Sequence, residues 1–210
     1  MVRLGKVVFF AVCVLALPAS SALAHQHHRE DATLDPARAF AKSHAALWAL
    51  EAMCIKAVKA QNLRYDGITQ AEIDAMDLRW RLETVRHRRP LIDQVMSNTL
   101  SRHLAALKDS MKGAVTEIVV IDRRGLNVAA SDIDSDFWQG DEEKWQKTVP
   151  AGPSSVYVGP VELDTSTDLF QSEVSLPITD PETGEVIGAL TMGVDLDRLA
   201  TAQRQSARKP

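Results

Sequence analysis

The chain has 210 residues, of which 45% are hydrophobic and 25% are charged, and its formal net charge is −4 at pH 7. This length and composition predict one folded domain with a core of useful size. An acidic chain offers little positive surface to phosphates, so nucleic acid is excluded as the expected partner.

Residues 1–24 have the pattern of an export signal. Arg3 and Lys6 give a positive start, residues 7–17 are apolar, and residues 22–24 form a small-x-small cleavage site. The apolar run is shorter than the roughly 20 residues that a membrane helix needs. We therefore expect cleavage of the signal and a mature bacterial protein that is periplasmic and does not span the membrane.

The polar segment at residues 25–34 is expected to be disordered, and cleavage would place His25 at the amino terminus. A free amine with His27 in third position can hold Cu(II) or Ni(II) through the amine, two backbone amides and the imidazole. The competing interpretation is a flexible tail that binds metal only adventitiously. No other cofactor is expected.

Residues 35–113 have helical periodicity. Asp35-Pro36 is typical of an N-cap followed by proline at the first helical position, and Thr69–Glu72 has the pattern of a capping box. Because Pro90 interrupts the pattern, three helical segments are predicted, the first of them running to about Asn62. The predicted core residues are Phe40, Leu47, Leu50, Cys54 and Val58, then Ile73, Met76, Trp80 and Val85, then Leu91, Val95, Leu100, Leu104, Leu107 and Met111. The cysteine in this set is expected to be a buried small hydrophobe.

From residue 114 the period becomes that of strands. One hairpin turns at Gly125 and another at residues 180–184, and Gly188 and Gly193 in the last strand indicate close approach of a helix or a ligand. Helices followed by strands predict an α+β fold, with long N-terminal helices packed on a curved antiparallel sheet of about five strands. The expected domain covers 35–200, with a helical part at 35–113, a sheet part at 114–200 and a flexible tail at 201–210.

The loop at residues 131–153 is too long for a simple connection and is typical of a binding segment. Its two tryptophans stand among polar residues, a combination that often lines small-molecule pockets. The alternative is that both indoles simply cover the sheet. The candidate ligand-binding residues are Trp138, Trp145, Ser131, Asp132, Asp141, Lys147 and Tyr157.

Two further patterns have simpler explanations. Asp132, Asp134 and Asp136 alternate as in a calcium loop, but Phe137 stands where an EF-hand requires glycine. The basic run at residues 79–89 fits a solvated helix end, although such a cluster would also suit a carboxylate ligand or an acidic partner. Nucleophile-elbow, phosphate-loop and zinc-protease motifs are missing from the sequence, so no enzyme is expected.

Three stretches of the sheet part resemble the extracytoplasmic Cache family of sensor domains, also called PAS-like or PDC domains. They are Val119–Asp132, Asp136–Trp145 and Leu176–Asp195. The resemblance implies a long helix before a curved antiparallel sheet, a pocket between sheet and loop, and a homodimer through the first helix. It also implies signalling to a membrane receptor or sensor kinase, although the chain lacks the second membrane helix usual in that family.

The resulting hypothesis is an exported sensor module that captures a small polar or anionic metabolite and signals through a partner. Two alternatives stay open. One is a periplasmic copper or nickel protein that uses His25-Gln26-His27. The other is an interaction module that keeps the fold without a ligand.

Overall fold

The computed structural model describes residues 34–164 and 169–206. The expected signal and the two candidate metal ligands, His25 and His27, lie outside the described residues, so the metal hypothesis stays a prediction. Within the described part of the chain, no helix combines the length and the apolar character needed to cross a membrane.

Helices precede and flank a single antiparallel sheet. The helices of the described ranges are α1 (residues 34–49, with Ala41–Ala45 π-helical), α2 (Ala52–Arg64), α3 (Gln70–Thr84), α4 (Pro90–Met96), α5 (Thr99–Ser110), α6 (Glu143–Gln146) and α7 (Leu196–Ser206). The strands are β1 (Val115–Asp122), β2 (Asn127–Ala130), β3 (Tyr157–Val158), β4 (Glu162–Asp164), β5 (Leu169–Thr179) and β6 (Val186–Asp195). Their order is β2-β1-β6-β5-β3, and β4 also pairs with β5. The predicted α+β class is confirmed, with six strands where about five were expected.

One side of the sheet, called the helix side below, packs against α1, α2 and α5. Ile118 and Val120 of β1 belong to this core together with Val58 of α2. A Cβ at Gly188 would lie 3.0 Å from Val58 Cγ1 and 2.3 Å from the carbonyl oxygen of Ile121. The close approach of a helix that was predicted at Gly188 is therefore confirmed.

The first predicted helix is in fact two helices. Leu50 ends α1, and Glu51 is extended, with φ −61° and ψ 132°, before α2 begins. The π-helical turn in α1 changes which residues face the core. Leu47 and Leu50 are consequently 66% and 58% exposed, so their assignment to the core was wrong. Alanines take their place in the core, at positions 37, 41, 45 and 49.

The other helical boundaries follow local capping signals. The capping box at Thr69 is confirmed, because its side chain accepts from the Glu72 N–H while the Glu72 carboxylate accepts from the Thr69 N–H. Pro90 starts α4, and Asn98 separates α4 from α5 by accepting from the Ser101 N–H at 2.8 Å. The third predicted segment is therefore also two helices.

Two other predictions about single residues had opposite outcomes. Cys54 is buried in the helix-side core, and this burial, with the nearby Glu51 charge, raises the pKa of its thiol to about 12. The prediction that Cys54 is a buried small hydrophobic residue is therefore confirmed. Val85, by contrast, is 83% exposed because it follows the end of α3, so its assignment to the core was wrong.

The C-terminal helix is longer than predicted. A tail was expected from residue 201, yet α7 continues to Ser206. Leu196 and Leu199 of this helix are buried in the helix-side core, and Asp195 accepts a hydrogen bond from the Arg198 N–H at 2.9 Å. These contacts hold the start of the helix against the sheet.

Candidate functional site

The other side of the sheet, called the loop side below, is covered by residues 131–156. Val119 and Ile121 of β1 pack there beneath Trp145. Because side chains alternate along a strand, Glu117 projects to the same side two residues earlier. The loop side therefore has an apolar half, filled by side chains, and a polar half.

Two glutamates and a glycine form one row of the polar half. Glu117 pairs with Gly193 across β1 and β6, and Gly193 pairs with Glu173 across β6 and β5. A Cβ at position 193 would lie 3.1 Å from Cγ of Glu117. In the next row the hydroxyls of Ser175 and Thr191 lie 2.9 Å apart and bond to each other. The nearest atom to a Cβ at position 193 would be Thr116 Oγ1 at 2.4 Å, so the glycine leaves space for the Thr116 and Glu117 side chains.

Lys144 of α6 brings one cation to this row. Its side chain is only 8% exposed, and its Nζ lies 2.9 Å from Glu142 Oε2 and 3.2 Å from Glu173 Oε1. Burial alone would lower the pKa of Lys144, but the carboxylates of Glu173, Asp134 and Glu142 raise that pKa above its ordinary value. Lys144 therefore stays protonated and forms ion pairs with two carboxylates.

Asp134 and Gln139 approach the row from the loop. The Gln139 side chain is fully buried, and its Nε2 donates to Asp134 Oδ2 at 3.2 Å and to Asp136 Oδ1 at 2.9 Å. Its Oε1 accepts no hydrogen bond from any described residue. A buried acceptor without a donor is uncommon in a folded protein and calls for an explanation.

Helix α3 fixes this part of the loop. Asp77 Oδ1 accepts from the backbone N–H of Phe137 at 2.9 Å and of Trp138 at 3.1 Å. The Phe137 ring stacks on Trp80 with centroids 5.4 Å apart, and Trp80 Nε1 donates to the carbonyl of Asp134 at 2.9 Å. The position of Asp134 is therefore set by buried contacts with α3.

The loop-side polar cluster is defined as Glu117, Asp134, Gln139, Glu142, Lys144 and Glu173, and it holds four carboxyl groups but one ammonium group. Neighbouring acids are paired, Asp132 with Lys108 at 2.6 Å and Asp136 with Arg81 at 3.5 Å. Among the described residues, Glu117 and Asp134 form no ion pair with Lys, Arg or His, although the charge of Lys144 acts on both and opposes the rise of their pKa values. Burial, reinforced by the Asp134 charge, raises the pKa of Glu117 to about 7, and burial also raises the pKa of Asp134.

The two predicted tryptophans both engage the backbone of the β1–β2 turn. Trp138 Nε1 donates to the carbonyl of Arg124 at 2.8 Å, and its indole packs against Gly140. Trp145 Nε1 donates to the carbonyl of Asp122 at 3.3 Å. The donors of both indoles are thus occupied, and the rings cover the turn and the sheet.

The predicted Ser131 and Asp132 lie where β2 ends. Ser131 Oγ accepts from the Ile118 N–H at 2.8 Å and donates to Asp132 Oδ2 at 2.6 Å, which closes the edge of the β1–β2 pair. Asp141, also predicted, is exposed. Ser131 and Asp132 therefore contact each other, and no described contact joins Asp141 to them.

Lys147 and Tyr157 form a separate group around Glu143. Lys147 Nζ lies 2.8 Å from Glu143 Oε1, and the Tyr157 hydroxyl donates to Glu143 Oε2 at 3.0 Å. Lys147 Nζ also lies 5.5 Å from the centre of the Tyr157 ring. Burial and the Glu143 carboxylate raise the pKa of Tyr157. This group is satisfied internally, and the structure does not unite the seven predicted residues in one site.

The sequence analysis missed several members of the cluster, namely Glu117, Gln139, Glu142, Lys144 and Glu173. One signal was present in the chain: Glu117 alternates with Val119 and Ile121, so it takes a partly buried position on the side of the strand that carries these apolar residues. A charged residue at such a position is rarely buried without a partner.

Open hollows of the surface lie elsewhere. One of about 530 Å³ lies between α2, α4 and α5 and includes Gln61 and Asn98. Both amides are engaged, since Gln61 donates to Asp122 Oδ2 at 3.0 Å and Asn98 donates to the Val128 carbonyl at 2.9 Å. No set of three or more His, Cys, Asp or Glu residues in the described ranges is arranged to hold a metal ion. The loop-side polar cluster is therefore the candidate site.

No family model matches the chain, and no curated protein does. The similar solved structures include the sensor domain of the V. cholerae histidine kinase DctB, at 16% identity and a TM-score of 0.41, covering 86% of this chain and 59% of that one. They also include the Campylobacter jejuni chemoreceptor Tlp3 ligand-binding domain in complex with L-norvaline, at 17% identity and a TM-score of 0.38, covering 75% of this chain and 60% of that one.

A third similar structure is the ligand-binding domain of the Pseudomonas fluorescens chemoreceptor CtaA in complex with L-alanine. It is 12% identical with a TM-score of 0.36, and the match covers 61% of this chain and 60% of that one. The chain thus spans less than two thirds of the length of all three domains. All three are sensory or ligand-binding domains.

Proposed function

We propose that the protein is an exported sensor module that binds a small molecule through a positively charged amino group. The observation that carries this proposal is the set of unused acceptors in the loop-side polar cluster. Within the described ranges the Glu117 carboxylate forms no ion pair, and Gln139 Oε1 accepts no hydrogen bond. Asp134, which already accepts hydrogen bonds from Ser135 and Gln139, adds a second negative charge close to Glu117. An ammonium group brings one positive charge and three N–H donors, so it matches this set.

The charge of the cluster favours a cation over the anionic metabolite considered from the sequence. Lys144 is its one cation and is engaged by Glu142 and Glu173. An incoming carboxylate would meet Glu117 and Asp134 at short range, and like charges in a buried site repel. The arginine run that suggested an anion lies on α3 and after its end, and of these arginines Arg81 pairs with Asp77 at 2.8 Å.

Binding of an ammonium group would also reverse an existing electrostatic cost. The raised pKa of Glu117 shows that its charged form is disfavoured by burial. A cation nearby favours the charged form, and each hydrogen bond to a charged group contributes about 1.5–3 kcal/mol. The ligand would therefore bind best to the ionised glutamate.

The loop gives such a ligand a route to a partner. Asp134 and Gln139 lie on the loop, and their segment is held by Asp77 and Trp80 of α3. A ligand that bridges β1 and the loop would restrain this segment, and ordering of a segment changes the surface that it presents. We propose a periplasmic location and a membrane receptor or sensor kinase as the partner.

A thermal-shift comparison of matched compounds tests the proposal. At pH 8 we expect L-alanine, ethanolamine and putrescine, or larger amines of the same type, to raise the melting temperature, and propionate, ethylene glycol and succinate to leave it unchanged. Glu117→Gln keeps the shape of the side chain but removes the charge, so it should abolish the stabilisation. Glu185→Gln is the control, because that glutamate is exposed and outside the cluster.

Two outcomes contradict the proposal. The first is stabilisation by the carboxylic acids without the amines. The second is the same response to amines in the protein and in Glu117→Gln. A complete lack of response across the twenty amino acids and common biogenic amines would favour the alternative of a module without a ligand.

A further inference from the structure

The outward side of α3 carries an apolar stripe. The stripe comprises Ala71, Ala75, Leu78, Leu82 and Val85, spaced alternately by four and three residues. Leu78, Leu82 and Val85 are 60%, 42% and 83% exposed, and both alanines are exposed as well. The inward side of the helix is filled separately by Ile73 and Trp80. The stripe has the spacing of a coiled-coil seam and no cover among the described residues.

In the middle of the helix Arg79 and Arg81 are paired with Glu83 and Asp77, each at 2.8 Å. The charges that form no ion pair with another described residue divide between the two ends of the stripe. Glu72 and Asp74 lie at the N-terminal end. Arg86 and Arg88 lie at the C-terminal end, where they line a hollow of about 380 Å³ together with Leu78 and Leu82. Neither arginine forms an ion pair with another described residue. The stripe is therefore apolar along its length, acidic at one end and basic at the other.

We propose that a second copy of this chain binds the stripe, with its α3 antiparallel to the first. A two-fold axis then places the acidic end of one helix opposite the basic segment that follows the other, so that Asp74 faces the segment carrying Arg86 and Arg88 in both directions. The apolar layers fit the same register, with Ala75 opposite Val85 and Leu78 opposite Leu82. A parallel pair would instead place each arginine beside the same arginine of the second copy, and these like charges would repel.

The length of α3 limits the strength of this dimer. Its 15 residues give a seam of roughly 22 Å at 1.5 Å per residue. Such a contact is smaller than the roughly 1,200–2,000 Å² of a standard stable interface. We therefore expect a dissociation constant of about 1–100 µM, not an obligate dimer. This interface differs from the first-helix dimer that the family resemblance implies, and it does not depend on the proposed ligand.

Sedimentation equilibrium of the purified chain over about 1–500 µM tests the interface. We expect a monomer–dimer equilibrium that Leu78→Lys weakens at least tenfold, because it buries an unpaired charge in the central layer. Leu63→Lys is the matched control: Leu63 is 80% exposed on α2 and lies outside the stripe, so its substitution should leave the equilibrium unchanged. A monomer at every concentration, or a dimer that Leu78→Lys does not affect, would overturn the proposal.

Charge reversal tests the antiparallel orientation. Asp74→Arg and Arg88→Asp should each weaken the dimer about fivefold at low salt, since each brings like charges together. The combined D74R/R88D variant should recover most of the loss, because it exchanges the two members of the pair. Both side chains are exposed, so folding is expected to be unaffected. Failure of the combined variant to recover the dimer would rule out the antiparallel register.

Discussion

At the scale of single residues, Glu117 differs from the other carboxylates of the loop-side polar cluster, because among the described residues its carboxylate forms neither a hydrogen bond nor an ion pair. Its neighbours along β1, Val119 and Ile121, are buried apolar residues, and Gly193 leaves room for its side chain. Its carboxyl group receives no ion pair from the described residues, and burial raises its pKa to about 7. A partly buried carboxyl group without an ion pair lowers the stability of the folded protein. Such groups are typical of binding sites, where a ligand supplies the partner.

The pKa of Glu117 gives a stability prediction with a defined sign. The folded protein holds the Glu117 proton up to about pH 7, whereas the unfolded chain releases it near its ordinary value of 4.5. Folding therefore takes up a proton between these values, and stability falls as the pH rises through this window. Glu117→Gln should be more stable than the unliganded protein by about 1–3 kcal/mol at pH 8 and equal to it at pH 4.

Urea unfolding at pH 4, 6 and 8 measures this difference, with Glu185→Gln as the control for loss of a glutamate charge at an exposed position. Equal stabilities of Glu117→Gln and the protein at all three pH values would show that Glu117 titrates normally.

At the scale of elements, α3 connects the loop side to the outer surface. Its inward residues Asp77 and Trp80 bond to the backbone of the loop, and its outward residues form the apolar stripe. The main helix contacts of β1 come from α2 and α5, whereas α3 packs mainly on α4 and bonds to the loop. A change in the position of the loop would therefore act first on α3.

Loss of the Asp77 acceptor should loosen the loop. Asp77→Ala leaves the N–H groups of Phe137 and Trp138 without a partner, which costs about 2–4 kcal/mol for two buried donors. Asp77→Asn keeps an acceptor oxygen and should cost less. Urea unfolding gives the free energies, and hydrogen exchange at Phe137 and Trp138 should accelerate in the alanine variant. Unchanged exchange in Asp77→Ala would show that the loop is held by other contacts.

The elements that could be predicted from the sequence are those whose signals are local. The capping box at Thr69 and the turns at Gly125 and Gly184 are local, and Gly125 and Gly184 have positive φ as expected. The π-helical turn in α1 has no such signal, so the sequence pattern extended the helix through Leu50. The short strands β3 and β4 were missed because they depend on pairing with β5.

The site was harder to predict than the fold for a related reason. The loop was correctly expected to cover the sheet, but its tryptophans were given the binding role because they are conspicuous in sequence. The polar cluster arises from cross-strand neighbours that are remote in the chain. Gly193 lies 76 residues after Glu117 and 20 residues after Glu173. Register of this kind is not visible from residue types alone.

At the scale of the whole molecule, the sheet separates two environments. The helix side is an apolar core, and the loop side combines an apolar half with the polar cluster. Because α3 contacts the loop and also carries the stripe, ligand binding and pairing of two copies share one helix. If restraint of the loop changes the affinity of α3 for a second copy, linkage requires that the ligand also shifts the dimer equilibrium.

Native mass spectrometry of the protein purified from its own host at pH 8 tests the central claim most directly. We expect a bound small molecule that carries an amino group, that is lost on acidification to pH 5 and that is missing from Glu117→Gln. A bound compound without an amino group, or one that Glu117→Gln retains, would contradict the account.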